Sequence, residues 1–108
     1  MTTVNKSPVC LFVYKRLPAF KKLIASLQQN ELALLTDVHI FSDAAASDRD
    51  MESVNAVRKY LSGIYGFKSV SVYLSEKNKG LARSIIEGVD KIIHTAGKVI
   101  VLEDDLVV

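Results

Sequence analysis

Four short apolar runs alternate with three amphipathic segments along this chain, and this alternation restricts the fold more than any other feature of the sequence. The first run, residues 9–14, is continuously apolar, as in a strand that is buried on both faces. In the amphipathic segments apolar side chains recur every three or four residues, which predicts helices. Strands that alternate with helices form right-handed βαβ units around a mostly parallel sheet. The sequence therefore predicts a three-layer α/β fold with the order β-α-β-α-β-α-β.

The predicted elements leave only short loops between them. Strands are expected at residues 9–14, 38–41, 69–74 and 99–102, and the fourth is expected to be buried. Helices are expected from residue 18 to about residue 28, from residue 48 to an end marked by Gly63 and Gly66, and from residue 81 to near Gly97, with a short helical turn at 31–35. Pro18 suits the first turn of its helix, and Ser47 is the expected N-cap of the second. A chain of this length forms one domain.

Composition and charge exclude several classes of protein. The net charge of +2 is small and the basic residues are scattered, so no nucleic-acid partner is expected. No apolar stretch approaches the roughly 20 residues that a membrane span needs. The polar first residues lack the apolar core of a signal peptide, so the predicted location is cytoplasmic. Cys10 is the only cysteine and is expected to be a small buried hydrophobe.

Several nucleotide-binding and catalytic motifs are absent from the sequence. There is no G-x-x-x-x-G-K-[ST] loop, no G-x-G-x-x-G after the first strand, and no G-x-S-x-G elbow. The first strand ends in basic residues, which disfavours domains that carry catalytic acids there. P-loop NTPases, dinucleotide-binding domains and α/β-hydrolases are therefore disfavoured.

Polar segments follow all four predicted strands. In an open parallel sheet, ligands bind beyond the carboxyl ends of the strands. The segments that this rule selects share one edge of the sheet and comprise residues 15–16, 42–43, 75–80 and 103–105.

The acidic triplet Glu103, Asp104 and Asp105 is the strongest candidate site among these segments. Three adjacent carboxylates at the mouth of a buried strand repel one another, and a divalent cation relieves that cost. Their oxygen ligands suit Mg²⁺ or Mn²⁺. If the strand geometry continues, Glu103 and Asp105 point to one face and Asp104 to the other. The alternative is a solvated acidic loop, which is the commoner interpretation of a short acidic cluster considered alone.

The other candidates are weaker in isolation. Arg16 could hold a phosphate, and Asp43 could accept a hydrogen bond from a ribose hydroxyl or a base N–H. Asn78 and Gly80 could form a loop that approaches a ligand closely. The alternatives are an exposed arginine, a turn-forming aspartate and an ordinary loop before a helix.

Taken in chain order, these segments resemble the nucleotide-sugar-binding half of metal-dependent glycosyltransferases with the GT-A fold, in the broad sense of glycosyltransferase family 2. The triplet resembles that of N-acetylglucosaminyltransferases that act on N-glycans. The resembling stretches are residues 13–18 (VYKRLP), 41–43 (FSD), 78–83 (NKGLAR) and 101–106 (VLEDDL). The resemblance implies a Rossmann-like half of a GT-A fold and a hexosyl or N-acetylhexosaminyl transferase.

By this resemblance the triplet takes the part of the family's D-x-D motif, although it is E-D-D. Asp105 would bind Mn²⁺ or Mg²⁺, while Glu103 and Asp104 would contact ribose, donor sugar or metal-bound water. The resemblance further places Asp43 near the base or ribose and Arg16 near the diphosphate. Residues 78–80 would flank the donor.

The implied reaction moves a sugar from a nucleoside-diphosphate sugar, with a UDP-sugar favoured, to a hydroxyl of a glycan or another acceptor. The catalytic base is expected beyond Val108, so the chain is expected to be the front part of a longer protein and inactive alone. Two other interpretations remain: a non-catalytic nucleotide-binding module and an inactive truncated scaffold. An open sheet edge would also favour a homo-oligomer.

Overall fold

A computed structural model describes residues 7–103 of the chain. This part contains the seven predicted strands and helices in the predicted order, and a short 3₁₀ helix at Ala33–Leu35. The strands are β1 (Val9–Val13), β2 (Asp37–Ser42), β3 (Ser69–Leu74) and β4 (Ile100–Glu103). The helices are α1 (Leu17–Gln28), α2 (Asp48–Leu61) and α3 (Leu81–Ala96).

The four strands form one parallel sheet in the order β3-β2-β1-β4, which is a Rossmann-like α/β arrangement. Phe12 of β1 lies opposite Phe41 of β2 on one side and Glu103 of β4 on the other. Tyr73 of β3 lies opposite Phe41. The chain steps outward from β1 to β3 and then crosses back to β4, so the order reverses between β1 and β4. In open α/β sheets ligands bind at such a reversal point.

Helices α1 and α2 cover one face of the sheet and form the larger core. Phe20 and Ile24 of α1 and Val57 of α2 pack on Leu11 and Ile40 of the central strands, and all five are almost wholly buried. Burial of one such side chain stabilises the fold by roughly 1.5–3 kcal/mol. The predicted apolar stripes of both helices therefore face the sheet.

Helix α3 alone covers the other face, so the fold has three layers as predicted. Its Ile92 packs on Cys10 and Phe12 of β1. A Cβ atom at Gly88 would lie 2.9 Å from Cε2 of Phe12, so only glycine allows the helix this close to the sheet. Cys10 is buried as predicted, and that burial raises the pKa of its thiol to about 11.

The prediction that the fourth strand is buried is wrong for the described part of the chain. Ile100 is 49% exposed, and Val101 is half-buried. The physical reason is that β4 occupies an edge of the sheet, with nothing from residues 7–103 beyond it. No helix within residues 7–103 is long and apolar enough to cross a membrane.

Candidate functional site

The carboxyl ends of the parallel strands meet at one edge of the sheet, here called the carboxyl edge. Arg16 follows β1, Asp43 follows β2, and Glu103 is the last residue of β4. Asn78 and Gly80 lie in the loop that joins β3 to α3. The structure therefore places all five described candidate residues at this edge.

Asp43 is the most constrained of these residues, because it is only 8% exposed and its carboxylate is surrounded by donors. Its Oδ1 accepts hydrogen bonds of 2.9 Å from the backbone N–H groups of Ala44 and Lys79. Its Oδ2 accepts from the backbone N–H of Gly80 at 2.9 Å and from Nδ2 of Asn78 at 3.3 Å. Asp43 therefore joins the end of β2 to a loop that lies more than thirty residues further along the chain.

The Asn78–Gly80 loop is shaped to make these contacts. Asn78 also donates to the backbone carbonyl of Ala44 at 2.8 Å, which fixes its side chain against the end of β2. Gly80 has a φ angle of +83°, in the left-handed region that glycine adopts without strain. Gly80 is also the N-cap of α3 and has no side chain to cap it. The turn at Gly80 thus directs its own N–H towards Asp43 immediately before the helix begins.

Arg58 of α2 binds the ends of two strands in the same region, a role that was not predicted from the sequence. Its Nε donates to Oγ of Ser42 at 3.0 Å. Its Nη2 donates to the backbone carbonyls of Ser42 at 3.1 Å and Ser75 at 2.9 Å. Arg58 therefore ties together the carboxyl ends of β2 and β3. The available signal was its place beside the apolar stripe of α2, one residue after buried Val57.

Tyr14 is the centre of a second cluster, which was not predicted from the sequence. Its hydroxyl donates to Oδ2 of Asp50 at 2.7 Å and accepts from the backbone N–H of Ala46 at 2.8 Å. Lys15 forms an ion pair of 3.1 Å with Oδ1 of Asp50. The hydrogen bonds from Tyr14 and Lys15 lower the pKa of Asp50, while desolvation raises the pKa of Tyr14. This cluster fixes the end of β1 against the first turn of α2.

A cleft of about 310 Å³ opens at the carboxyl edge, between the residues bonded to Asp43 and those bonded to Tyr14. Its floor is the apolar surface of Phe12 and Phe41, and Asp43 and Asp50 contribute its charged groups. The remaining lining residues come from the end of β1, from the loops before α2 and α3, and from the start of α3: Val13, Tyr14, Ala46, Asn78, Gly80, Leu81 and Ser84. An apolar floor with a few fixed polar groups is typical of small-molecule sites.

A second depression of about 280 Å³ lies on the other side of Asp43, towards β3. The ring of Tyr73 stacks on that of Phe41 with centroids 4.5 Å apart, and Nζ of Lys91 lies 5.4 Å from the Tyr73 centroid. Lys79 on its rim is paired with Glu87 at 2.7 Å. Asp43 and the loop beside it therefore separate two neighbouring depressions.

The acidic triplet is described only in part. Glu103 is half-buried, whereas Asp104 and Asp105 lie outside the described residues. Val101 packs on the α3 side of the sheet and side chains alternate along a strand, so Glu103 faces the side that carries the cleft. Arg16 is exposed at the start of α1. Within residues 7–103 there is no group of three or more side chains that could hold a metal ion.

Comparisons of the chain with protein-family models, with curated proteins and with solved structures found no match. The fold class is Rossmann-like α/β, and the candidate functional residues lie at the carboxyl edge.

Proposed function

We propose that this chain is the nucleotide-sugar-binding part of a metal-dependent glycosyltransferase. One observation carries the proposal: Glu103, the first residue of the acidic triplet, ends a parallel strand on the same edge and the same side of the sheet as the cleft beside Asp43. A strand on the opposite edge would have separated the acids from the cleft.

The cleft suits a nucleoside by size and by lining. Its volume of about 310 Å³ lies at the lower end of the range for small-molecule pockets. The rings of Phe12 and Phe41 offer an apolar floor, and Asn78 and Ser84 are polar groups at its wall. Arg16 at the end of β1 could bind the diphosphate, because a guanidinium matches phosphate oxygens.

The triplet supplies ligands of the right chemical type for Mn²⁺ or Mg²⁺. Carboxylate oxygens are the preferred ligands of these ions, and Glu103 lies opposite Phe12, a residue that lines the cleft. Asp105 would bind the metal, and Glu103 and Asp104 would contact ribose, donor sugar or metal-bound water. When bound, the divalent ion would stabilise negative charge on the diphosphate leaving group. The chain's own residues bind and orient the donor.

Three further parts of the proposal follow from the resemblance of the sequence to GT-A glycosyltransferases. They are a UDP-sugar as donor, a glycan or other hydroxyl as acceptor, and a catalytic base outside these residues. A non-catalytic nucleotide-binding module is the second candidate, because nothing in the described cleft requires turnover.

Isothermal titration of the chain with UDP and GDP, with and without Mn²⁺, tests the proposal. We expect UDP binding that requires the metal and that Asp105→Ala abolishes. The matched control is Asp48→Asn, which changes an exposed acid on α2 and should leave binding unchanged. Metal-independent binding would favour the non-catalytic module, and absence of binding would contradict the proposal.

A further inference from the structure

We propose that Asp43 is a positioning residue, which holds residues 78–80 in place as one wall of the cleft without contacting the nucleotide itself. The hydrogen bonds of Asp43 with Ala44, Asn78, Lys79 and Gly80 are here called the Asp43 latch. The inference rests on the proposed function for the identity of the ligand. It replaces the expected contact of Asp43 with base or ribose by an indirect role.

The acceptor capacity of the carboxylate is the first argument. An ionised carboxylate offers about four lone-pair sites. Asp43 already accepts four hydrogen bonds within the chain, three of them at 2.9 Å from backbone N–H groups. It is also 92% buried, since only 8% of its surface is exposed. A ribose hydroxyl or base N–H would therefore have to displace a bond that the fold already makes.

The long-range character of the bonds is the second argument. An aspartate that only shaped its own turn would bond to nearby residues, as Asp43 does to Ala44. Its bonds to Lys79 and Gly80 instead span 36 and 37 residues of sequence. They satisfy two backbone N–H groups at the point where α3 begins.

The β3–α3 loop is attached to β2 at both of its ends. At its start, the N–H of Ser75 donates to the carbonyl of Ser42 at 3.0 Å, and Arg58 bonds to both residues. At its end, the Asp43 latch holds residues 78–80. Asn78 and Gly80 line the cleft together with Leu81. Release of the latch would free one wall of the cleft while the apolar floor stayed in place.

Amide hydrogen exchange of the chain without ligand tests the latch directly. We expect the amides of Lys79 and Gly80 to be protected, and Asp43→Asn to accelerate their exchange by roughly tenfold or more, because hydrogen bonds to charged groups are strong. Asn78→Ala should have a smaller effect in the same direction, and it serves if Asp43→Asn does not fold. Asp48→Asn is the matched control and should leave both amides unchanged. Equal exchange in wild type and Asp43→Asn would overturn the latch.

Nucleotide binding then separates positioning from direct contact. We expect Asp43→Asn to weaken UDP, 2′-deoxy-UDP and N3-methyl-UDP by the same factor, because the wall of the cleft is lost to all three. If Asp43 contacts ribose or base, the variant will lose its discrimination between UDP and one analogue, which would overturn the proposal. Failure of the wild-type chain to bind UDP would contradict the proposed function, whereas the exchange result decides the latch by itself.

Discussion

The two faces of the sheet are built differently. On one face, α1 and α2 cover the central strands with a continuous aliphatic core around Leu11, Ile40 and Val57. On the other face, α3 alone covers β1, and the sheet surface towards β3 consists of stacked rings. The centroids of Phe12 and Phe41 lie 5.1 Å apart there. The first face is closed, and the second is half open.

Because of this difference, we expect the closed face to determine folding stability and the half-open face to determine ligand binding. The closed face excludes water from large aliphatic side chains, which is the main source of folding free energy. The half-open face leaves depressions on both sides of Asp43, and residues of α3 line part of each. We therefore expect changes on the α1–α2 face to alter unfolding free energy most. Changes at the carboxyl edge should alter ligand binding more than stability.

Truncation of the closed core should have the largest effect on stability. Phe20→Ala removes a wholly buried ring that packs edge-on against Tyr60. We expect a loss of about 3–5 kcal/mol in the free energy of unfolding, measured by urea denaturation. The control is Leu34→Ala, which truncates a side chain that is 71% exposed and should cost less than about 0.5 kcal/mol. A cost below about 1 kcal/mol for Phe20→Ala would show that this face is not the main core.

Overpacking the α3 face should have the next largest effect. In Gly88→Val the new Cβ would lie 2.9 Å from Phe12 and 3.2 Å from Phe41, so helix and rings must separate. We expect a loss of about 1–3 kcal/mol by the same measurement. Gly63→Val is the matched control, because the nearest atom to its new Cβ is 3.9 Å away. A Gly88→Val chain as stable as wild type would mean that α3 does not pack this closely.

Removal of the Arg58 guanidinium should have a moderate effect on stability. Arg58→Met keeps most of the aliphatic stem and deletes the three hydrogen bonds to Ser42 and Ser75. We expect a loss of about 1–2 kcal/mol, since hydrogen bonds from a charged donor are stronger than neutral ones. Exposed Arg49→Met is the control. If both variants have the same stability, the attachment of β3 to β2 does not depend on Arg58.

The smallest expected effect is a pH dependence at the Tyr14 cluster. Hydrogen bonds from Tyr14 and Lys15 lower the pKa of Asp50 below its ordinary value of 3.8. A carboxyl group whose pKa is lowered in the folded state stabilises the fold at pH values above its ordinary pKa. This stabilisation is lost as the pH falls through the folded-state pKa. The stability difference between wild type and Asp50→Asn should therefore shrink as the pH falls below 3.8. A difference that is constant with pH would contradict the cluster, and Tyr14→Phe should show a smaller form of the same trend.

The strand order along the chain and the shared edge of the candidate residues were predictable because they follow from local periodicity and from the parallel topology. The bounds of β3 agree with the prediction at both ends, since Ser69–Leu74 is β-branched and aromatic between polar flanks. Exposure of β4 was not predictable, because it depends on what lies beside the strand. A buried apolar run and an apolar edge run look alike in sequence.

The partners of Asp43 could not be predicted for a related reason. Its bonds to Lys79 and Gly80 depend on how α3 crosses back over the sheet, which no local pattern encodes. Arg58 could be suspected from its position beside Val57, but its acceptors are backbone carbonyls, which every residue carries. The parallel topology indicated which edge holds the candidate residues, while their specific contacts required the tertiary structure.

Chemical-shift mapping of the amides with UDP and Mg²⁺ reports where on the sheet the nucleotide binds. We expect the perturbed amides to cluster at the carboxyl edge, at Ala44, Asn78 and Glu103, while Ser69 and Thr95 at the opposite edge stay unchanged. Perturbation centred on the opposite edge, or no perturbation at saturating UDP and Mg²⁺, would contradict it.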